Sequence, residues 1–325
     1  GVAGWLVNEL RELFAELSAV PHYLPRFVPT ETLPAVEAPA TLDRPRDLRF
    51  DNGIGGFSAD GREYVIHLAA GASTPAPWCN VLANAEFGCL VSEAGGGYTW
   101  TLNSAEHRLT PWRNDPVSDA PAEALYLRDE ENAEIWTPTP RPRGEDAACE
   151  IRHGAGYSTW RRHSHALEQT LTLFVAPDDP VKVVRLRLVN TAARPRRITA
   201  TYYAEWVLGT TARTTRPFVV TEYDATAGAL LARSAWNPEF AERVAFLASD
   251  RALHGFTTDR GEFLGREGDT RAPVALERWG LSGTAPTGCD PCAALQVHVE
   301  LAPGERTDIL FVLGEGRDRA HAEEL

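Results

Sequence analysis

Residues 198–208 read ITATYYAEWVL, with an apolar side chain at every second position. Threonine and glutamate fill most of the positions between them. Successive side chains of a strand point to opposite faces of a sheet, so a period of two predicts a β-strand with one face in an apolar core. A helix would instead repeat its apolar residues every three or four positions.

Other parts of the chain repeat this pattern and are separated by turns. Apolar residues alternate with polar or charged ones in further segments: 167–175, 184–188, 295–301 and 307–313. Ala302-Pro-Gly-Glu305 predicts the turn between the last two. Such repeated hairpin signals, with no long amphipathic helix between residues 50 and 310, favour antiparallel sheets packed face to face. We therefore predict a mainly β protein, one large antiparallel sandwich of two many-stranded sheets.

The two ends of the chain depart from the strand pattern. Near the start, apolar residues recur at helical spacing: Leu6, Leu10, Phe14 and Leu17. Residues 1–18 are therefore predicted to hold an N-terminal helix. Residues 19–47 carry six prolines and are predicted to form an extended linker. The sandwich is assigned to residues 48–313, and the charged, alanine-rich residues 314–325 to the start of another helix.

Composition and charge narrow the range of partners. Charged residues make up 24% of the 325 residues, and the formal net charge is −13. An acidic surface repels nucleic-acid backbones and anionic lipids, whereas neutral sugars remain compatible with it. No apolar run reaches the ~20 residues of a membrane span, so we expect no direct membrane insertion by this segment. The chain has no methionine and begins at Gly1, which fits an excerpt from a longer protein, although removal of an initiator methionine would also explain the first residue.

Cysteine and histidine spacing gives only weak signals of a metal or redox site. The five cysteines are an odd number, which argues against a disulfide framework and favours a reducing, cytoplasmic location. Cys289-Asp-Pro-Cys292 lacks the second pair that a zinc site would need. His163 and His165 would need a third ligand such as His153. We therefore predict no metal and no cofactor, and interpret these side chains as structural.

Aromatic and polar residues are concentrated in the loops predicted between residues 74 and 160. The apolar faces of sugars stack on indole and phenol rings, and sugar hydroxyls bond to Asp, Asn and Arg side chains. This composition favours a sugar-facing surface, although each Trp by itself also suits a packing role. The adjacent carboxylates Asp129-Glu130-Glu131 leave a hydrolytic dyad open as an alternative.

Ordered motifs across residues 48–313 resemble the sandwich region of glycoside hydrolase family 94, most closely that of its cyclic β-1,2-glucan synthase members. The motifs include LRFDNG at 48–53, TPAPW at 74–78, LTPWRNDP at 109–116, YLRDE at 126–130, RHGAGY at 152–157, EWVLG at 205–209, EFLGR at 262–266 and DPC at 290–292. The resemblance implies a super β-sandwich of the galactose-mutarotase-like type, which in this family precedes a helical (α/α)₆ barrel.

The resemblance also implies an accessory role. Family members are inverting phosphorylases with inorganic phosphate as co-substrate, and their general acid lies in the barrel. In the synthases the module accompanies a membrane-bound glycosyltransferase, so a parent protein tethered to the inner membrane is expected. This chain would then lack catalytic residues and be inactive alone. Its expected partners are β-glucan oligosaccharides, its own barrel and, in a homodimer, a second copy.

The candidate sugar contacts are the loop residues that the resemblance would place near the barrel mouth: Arg128, Asp129, Trp136, Arg152 and Tyr157. Three other interpretations stay open. The chain could be a stand-alone carbohydrate-binding module, or a scaffold that serves only dimerisation and barrel support. It could also be an independent glycosidase that uses Asp129 or Glu130.

Overall fold

The computed structural model describes residues 23–30, 41–144, 147–266 and 268–325. In these ranges short strands dominate, and no helix is both long and apolar enough to cross a bilayer. The strands are β1 (Gly55–Phe57), β2 (Glu63–Leu68), β3 (Cys79–Ala83), β4 (Phe87–Ser92), β5 (Gly97–Thr101), β6 (Glu123–Asp129), β7 (Ile135–Trp136), β8 (Cys149–Gly154), β9 (Tyr157–Ser164), β10 (Leu167–Val175), β11 (Val181–Asn190), β12 (Arg196–Glu205), β13 (Val219–Asp224), β14 (Ala229–Ser234), β15 (Val244–Ser249), β16 (Leu253–Asp259), β17 (Pro291–Leu301) and β18 (Arg306–Gly316). The helices are α1 (Ala212–Thr215), α2 (Arg260–Leu264) and α3 (Arg319–Glu324), with 3₁₀ turns at Arg216–Phe218 and Val274–Glu277.

The strands of the described ranges form three antiparallel sheets. The largest has ten strands in the order β1-β2-β8-β9-β10-β11-β18-β15-β14-β13. The second has five, in the order β16-β17-β12-β6-β7, and the third has three, in the order β3-β4-β5. Neighbouring strands pair in antiparallel register, for example β12 with β17 and with β6. The predicted fold class, a large antiparallel β-sandwich, is therefore confirmed.

The main core lies between the ten-stranded and the five-stranded sheet. Tyr202 of β12 stacks on Phe311 of β18 with ring centroids 5.4 Å apart. Ile198 of β12 and Trp160 of β9 are buried in the same apolar cluster. Burying one side chain of this size contributes about 1.5–3 kcal/mol relative to leaving it in water. The inward apolar face predicted for residues 198–208 is therefore confirmed.

The outer face of the five-stranded sheet is covered as well, which the alternating pattern did not predict. Tyr203 of β12 stacks on Phe263 of α2 with ring centroids 4.7 Å apart, and the polar Thr199 is only 1% exposed. α2 begins where the Asp259 carboxylate accepts a hydrogen bond from Gly261 N at 2.8 Å, an N-cap that fixes the start of the helix. β12 is thus buried on both faces.

A segment near the start of the chain lies across the same outer face. Phe27 N donates a hydrogen bond to Glu277 O at 2.8 Å, so residues 23–30 form a strap over the sandwich. The helix predicted in residues 1–18 lies outside the described residues. At the other end α3 follows β18 closely, in agreement with the predicted start of a C-terminal helix. The boundaries proposed between domains stay predictions.

Candidate functional site

The loops at one end of the five-stranded sheet bring together segments that are far apart in sequence. Val207 N, just after β12, donates to Leu109 O at 2.9 Å. Arg260 N, at the start of α2, donates to Asp290 O at 2.8 Å, just before β17. Three of the quoted motifs, LTPWRNDP, EWVLG and DPC, therefore meet at this end of the sandwich. Antiparallel pairing explains this, because the end of β12 lies beside the start of β17.

Five charged residues form the end cluster at this meeting point: Arg113, Glu205, Arg216, Arg260 and Asp290. Glu205 Oε2 lies 2.7 Å from Arg113 Nη2 and 3.7 Å from Arg260 Nε. Asp290 lies 3.3 Å from Arg260 Nη1 and 2.8 Å from Arg216 Nε. The Glu205 side chain is 7% exposed, whereas that of Arg113 is 40% exposed. The buried Glu205 and the partly exposed Asp290 therefore hold the guanidinium groups, and part of the Arg113 and Arg216 side chains stays open to a ligand.

Exposed aromatic rings flank the end cluster. Trp112 is 38% exposed and stacks on Tyr98 with ring centroids 4.8 Å apart and planes 14° apart. Trp236 is 40% exposed and contacts Phe218 with centroids 5.2 Å apart. Stacked and partly exposed indoles present an apolar face without losing further conformational freedom. This end of the sandwich therefore combines aromatic faces with charged hydrogen-bond donors.

An open groove of about 620 Å³ lies next to the end cluster. Its charged lining residues are Arg113, Arg141, Arg260, Asp269 and Arg271. The rest of the lining is small or proline-rich, for example Pro121 and Gly144. A second open groove of about 530 Å³ continues from it and shares Pro140, Arg141 and Gly144.

Arg152 and Tyr157, two of the predicted sugar contacts, are brought together by one carboxylate. Arg152 Nη1 lies 2.7 Å from Glu63 Oε2, and the Tyr157 hydroxyl donates to the other oxygen of Glu63. Arg152 Nε also bonds to Glu150 at 2.8 Å. The bonds to Glu150 and Glu63 raise the pKa of the Arg152 guanidinium above its ordinary value. Both side chains remain partly exposed, and their contact with sugar stays a prediction.

Arg128, Asp129 and Trp136, the other predicted contacts, lie in the sandwich interior with at most 2% of each residue exposed. Arg128 Nη1 donates to Leu276 O at 2.8 Å. Asp129 Oδ2 lies 2.6 Å from Arg196 Nη2. These residues belong to β6 and β7 rather than to loops. Within this chain they stabilise the sheet, and a sugar contact by any of them stays a prediction.

The carboxylates proposed as a hydrolytic dyad are each held by an arginine. Asp129 pairs with Arg196, Glu130 with Arg128 at 2.8 Å, and Glu131 with Arg194. A general acid needs a proton to give and a general base needs a free lone pair near the substrate. Carboxylates that are already ion-paired and mostly buried provide neither. The geometry therefore gives the glycosidase interpretation no support.

The three histidines considered as metal ligands have separate partners. His153 Nε2 lies 3.2 Å from Trp78 O and Nδ1 lies 2.9 Å from Ser158 Oγ. A carbonyl can only accept, so Nε2 carries the proton and Nδ1 accepts from the serine. Burial lowers the pKa of His153 to about 4. His163 bonds to Thr191 and His165 to Glu134, so the three rings do not converge.

Comparison with known proteins gives one consistent result. Residues 62–325 match the family described as glycosyl hydrolase 94, supersandwich domain. The cyclic beta-(1,2)-glucan synthase NdvB of Rhizobium meliloti (strain 1021) is 40% identical over 285 residues, which are 86% of this chain and 10% of NdvB. The N,N'-diacetylchitobiose phosphorylase of Vibrio furnissii is 30% identical over 270 residues, 81% of this chain and 33% of that enzyme. The chain thus spans between a tenth and a third of the length of these two relatives.

Among solved structures, a galactose mutarotase-like protein from Lactobacillus casei ATCC 334 aligns with a TM-score of 0.42 and 8% sequence identity. The alignment covers 73% of this chain and 100% of that protein.

Proposed function

The chain belongs to the glycosyl hydrolase 94 supersandwich family, and from this membership we propose that it is a non-catalytic accessory domain of a longer enzyme that processes β-glucan oligosaccharides. The observation that carries this proposal is the end cluster together with the exposed, pre-stacked Trp112. A sugar ring could stack on the indole while its hydroxyls bond to Arg113. The end of the sandwich would then form one wall of an acceptor site.

The reaction itself is assigned to the remainder of the longer enzyme. In an inverting phosphorolysis, phosphate attacks the anomeric carbon and one carboxylic acid protonates the leaving oxygen, so a sugar 1-phosphate and a shortened glycan result. The end cluster supplies no general acid, because Glu205 and Asp290 are both ion-paired with arginines. Phosphate would be the co-substrate of the parent, as the phosphorylase relatives favour.

The likeness to NdvB favours β-1,2-glucan as the polymer that the parent handles. We further propose that the domain lies in the cytoplasm, that other parts of the parent tether it to the inner membrane, and that it docks on a barrel encoded elsewhere in the same protein. A homodimer in which a second copy completes the acceptor site is part of the same proposal.

The 325-residue chain alone should form no sugar phosphate from β-1,2-glucooligosaccharides and phosphate, because a general acid and a closed phosphate pocket are both missing from the end cluster. Chromatography of the products after long incubation checks this. Calorimetry with the same oligosaccharides should show no saturable heat, since only one wall of the acceptor site is present. Turnover would refute the accessory role, and tight binding without turnover would favour a stand-alone carbohydrate-binding module instead.

Replacing Trp112 by Ala in the longer enzyme should raise the acceptor KM about fivefold and change kcat little, because stacking on an exposed indole is worth about 1 kcal/mol. Steady-state kinetics with oligosaccharides of increasing length measure this. Trp279→Ala is the matched control, because Trp279 is also partly exposed, at 47%, but packs on Phe27 of the strap. If both variants keep the original acceptor KM, the sandwich serves only as a scaffold. The Arg152→Ala variant applies the same measurement to the hairpin of β8 and β9.

A further inference from the structure

The exposed Trp112 indole is the outermost of three aromatic rings that pack in series on the three-stranded sheet. Trp112 stacks on Tyr98 of β5 with ring centroids 4.8 Å apart, and the Tyr98 centroid lies 5.1 Å from that of Trp100. Residues two apart on a strand share one face of the sheet, so β5 supplies two neighbouring rings and the loop after β5 supplies the third. Tyr98, Trp100 and Trp112 are called the aromatic column below.

The base of the aromatic column lies on Gly88 of β4, which is the cross-strand partner of Trp100. A Cβ atom at Gly88 would lie 2.4 Å from Cζ2 and 2.7 Å from Cε2 of the Trp100 indole, well inside van der Waals contact. Glycine within a strand often marks a place where another group approaches the backbone closely. Any other residue at position 88 would therefore displace the indole on which the rest of the column packs.

Hydrogen bonds fix the loop that carries Trp112 to the same strand. Leu109 N donates to Thr99 O at 2.8 Å, and Thr99 N donates to Thr110 Oγ1 at 2.9 Å. Thr99 stands between the two column residues of β5 in the sequence. The main chain that leads to Trp112 is therefore held beside Tyr98, which brings the two rings into register.

We propose that Tyr98 is a positioning residue for the acceptor sugar, and that Trp100 and Gly88 support it. Tyr98 is only 5% exposed, so it acts through Trp112, which is 38% exposed. Fixing a mobile side chain on binding costs free energy comparable with the contribution of one aromatic stack. A column that holds the Trp112 indole in one plane before the sugar arrives avoids this cost. The inference rests on the proposed function, because it explains how Trp112 would serve there.

Fluorine NMR of the 325-residue chain labelled with 5-fluorotryptophan tests the orientation of the indole without any sugar. The resonance that disappears in Trp112→Ala identifies Trp112. In Tyr98→Leu this resonance should become at least about twofold narrower, because the indole gains motion, whereas Tyr98→Phe keeps the ring and should preserve the line width. Tyr223→Leu is the matched control, because Tyr223 stacks on Phe256 elsewhere in the sandwich with centroids 4.0 Å apart. It should leave the Trp112 resonance unchanged.

Steady-state kinetics of the longer enzyme test whether this orientation matters for the acceptor. Tyr98→Leu should raise the acceptor KM about threefold and change kcat little, whereas Tyr98→Phe and Tyr223→Leu should keep the original KM. Gly88→Ala should raise the acceptor KM at least about twofold by displacing Trp100, and it tests the column even if Tyr98→Leu fails to fold. In a Trp112→Ala background Tyr98→Leu should cause no further rise, because the indole that Tyr98 orients is gone.

The outcomes separate this inference from the proposed function. A line width of the Trp112 resonance that stays constant in Tyr98→Leu would overturn the inference alone. A further threefold rise of the acceptor KM when Tyr98→Leu is added to Trp112→Ala would also overturn it, because Tyr98 would then act on the structure in general. An acceptor KM that is unchanged in Trp112→Ala would overturn the proposed role of Trp112, and with it the sugar part of the inference.

Discussion

Replacing Lys182 by Ala should lower the free energy of unfolding by about 3–5 kcal/mol, because it leaves a buried carboxylate without its counter-charge. Lys182 is the only lysine in the 325 residues. Its ammonium is buried between the two large sheets, where it bonds to the Glu123 carboxylate and to Thr99 Oγ1 at 2.6 Å. Denaturant unfolding at pH 7, followed by tryptophan fluorescence, measures the change.

Both oxygens of the Glu123 carboxylate are hydrogen-bonded within this site. It accepts hydrogen bonds from Thr99 at 2.6 Å, Thr110 at 2.7 Å and the Tyr202 hydroxyl at 2.8 Å, besides the one from Lys182. Burial by itself would raise the pKa of Glu123, but the charge of Lys182 and these bonds outweigh it and hold the pKa below the ordinary value of 4.5. The network joins β5, β6, β11 and β12.

The loss of stability in Lys182→Ala should depend on pH, because Lys182 and burial shift the pKa of Glu123 in opposite directions. With Lys182 present, the stability contributed by Glu123 is complete above about pH 4.5 and is lost as the pH falls through its lower folded pKa. In the Lys182→Ala variant the effect of burial is no longer offset by the lysine charge, so the pKa of Glu123 rises. The Glu123 carboxyl then takes up a proton at a higher pH and becomes neutral. The deficit of the variant should therefore be largest near pH 7 and smaller near pH 5. A deficit that is equal at both values would contradict the electrostatic cause.

A double variant separates the charge pair from the loss of packing. Lys182→Met with Glu123→Gln keeps similar volumes and leaves no buried charge, so it should cost less than Lys182→Ala alone. The Gln amide still accepts hydrogen bonds from Thr99 and Thr110 through its oxygen. If the double variant instead loses the sum of both single changes, the two groups act independently and the argument from ion pairing fails.

The strand pattern predicted the inner face of the sandwich well and its outer face poorly. Alternation in residues 198–208 identifies Ile198 and Tyr202 as core residues, and both pack against the large sheet. The burial of Tyr203 depends on α2, a helix of five residues whose length is too short to give a periodic signal. The alternation of apolar and polar residues along a strand indicates which of its faces packs in the core. It does not predict a layer on the other face when that layer comes from a distant part of the chain.

The candidate site shows a similar division. Arg113, Glu205 and Asp290 all stand in motifs that the resemblance brought out, but their contact depends on the register of β12 with β17 and with β6. Arg216 and Arg260 lie outside the quoted motifs, and no local sequence pattern marked them as residues of a site. Arg128 was predicted on a loop because it lies among the aromatic and polar segments between residues 74 and 160. Its place directly after the apolar run Ala124–Leu127 of the strand EALYLRD was the signal that could have placed it within the sheet.

Phe311→Ala should lower the free energy of unfolding by about 3–5 kcal/mol, since it opens a cavity between the two sheets. Phe311 is fully buried on β18 and stacks on Tyr202 from the facing sheet. β18 pairs with β11 and β15 in the middle of the ten-stranded sheet, so the surrounding strands have little freedom to collapse into the space. Denaturant unfolding gives the midpoint and the slope, and the slope should stay constant if only stability changes.

Phe50→Ala is the matched control, because it removes the same atoms from a side chain that is 85% exposed. Its expected cost is within about 0.5 kcal/mol. Any contribution from the unfolded chain is similar for the two phenylalanines, so the difference between the variants isolates the packing of one sheet on the other. A difference below about 1 kcal/mol would mean that the two sheets are not in close contact at Phe311 and Tyr202. The end cluster would then lose the rigid support on which its pre-oriented arginines depend, because β12 carries both Tyr202 and Glu205.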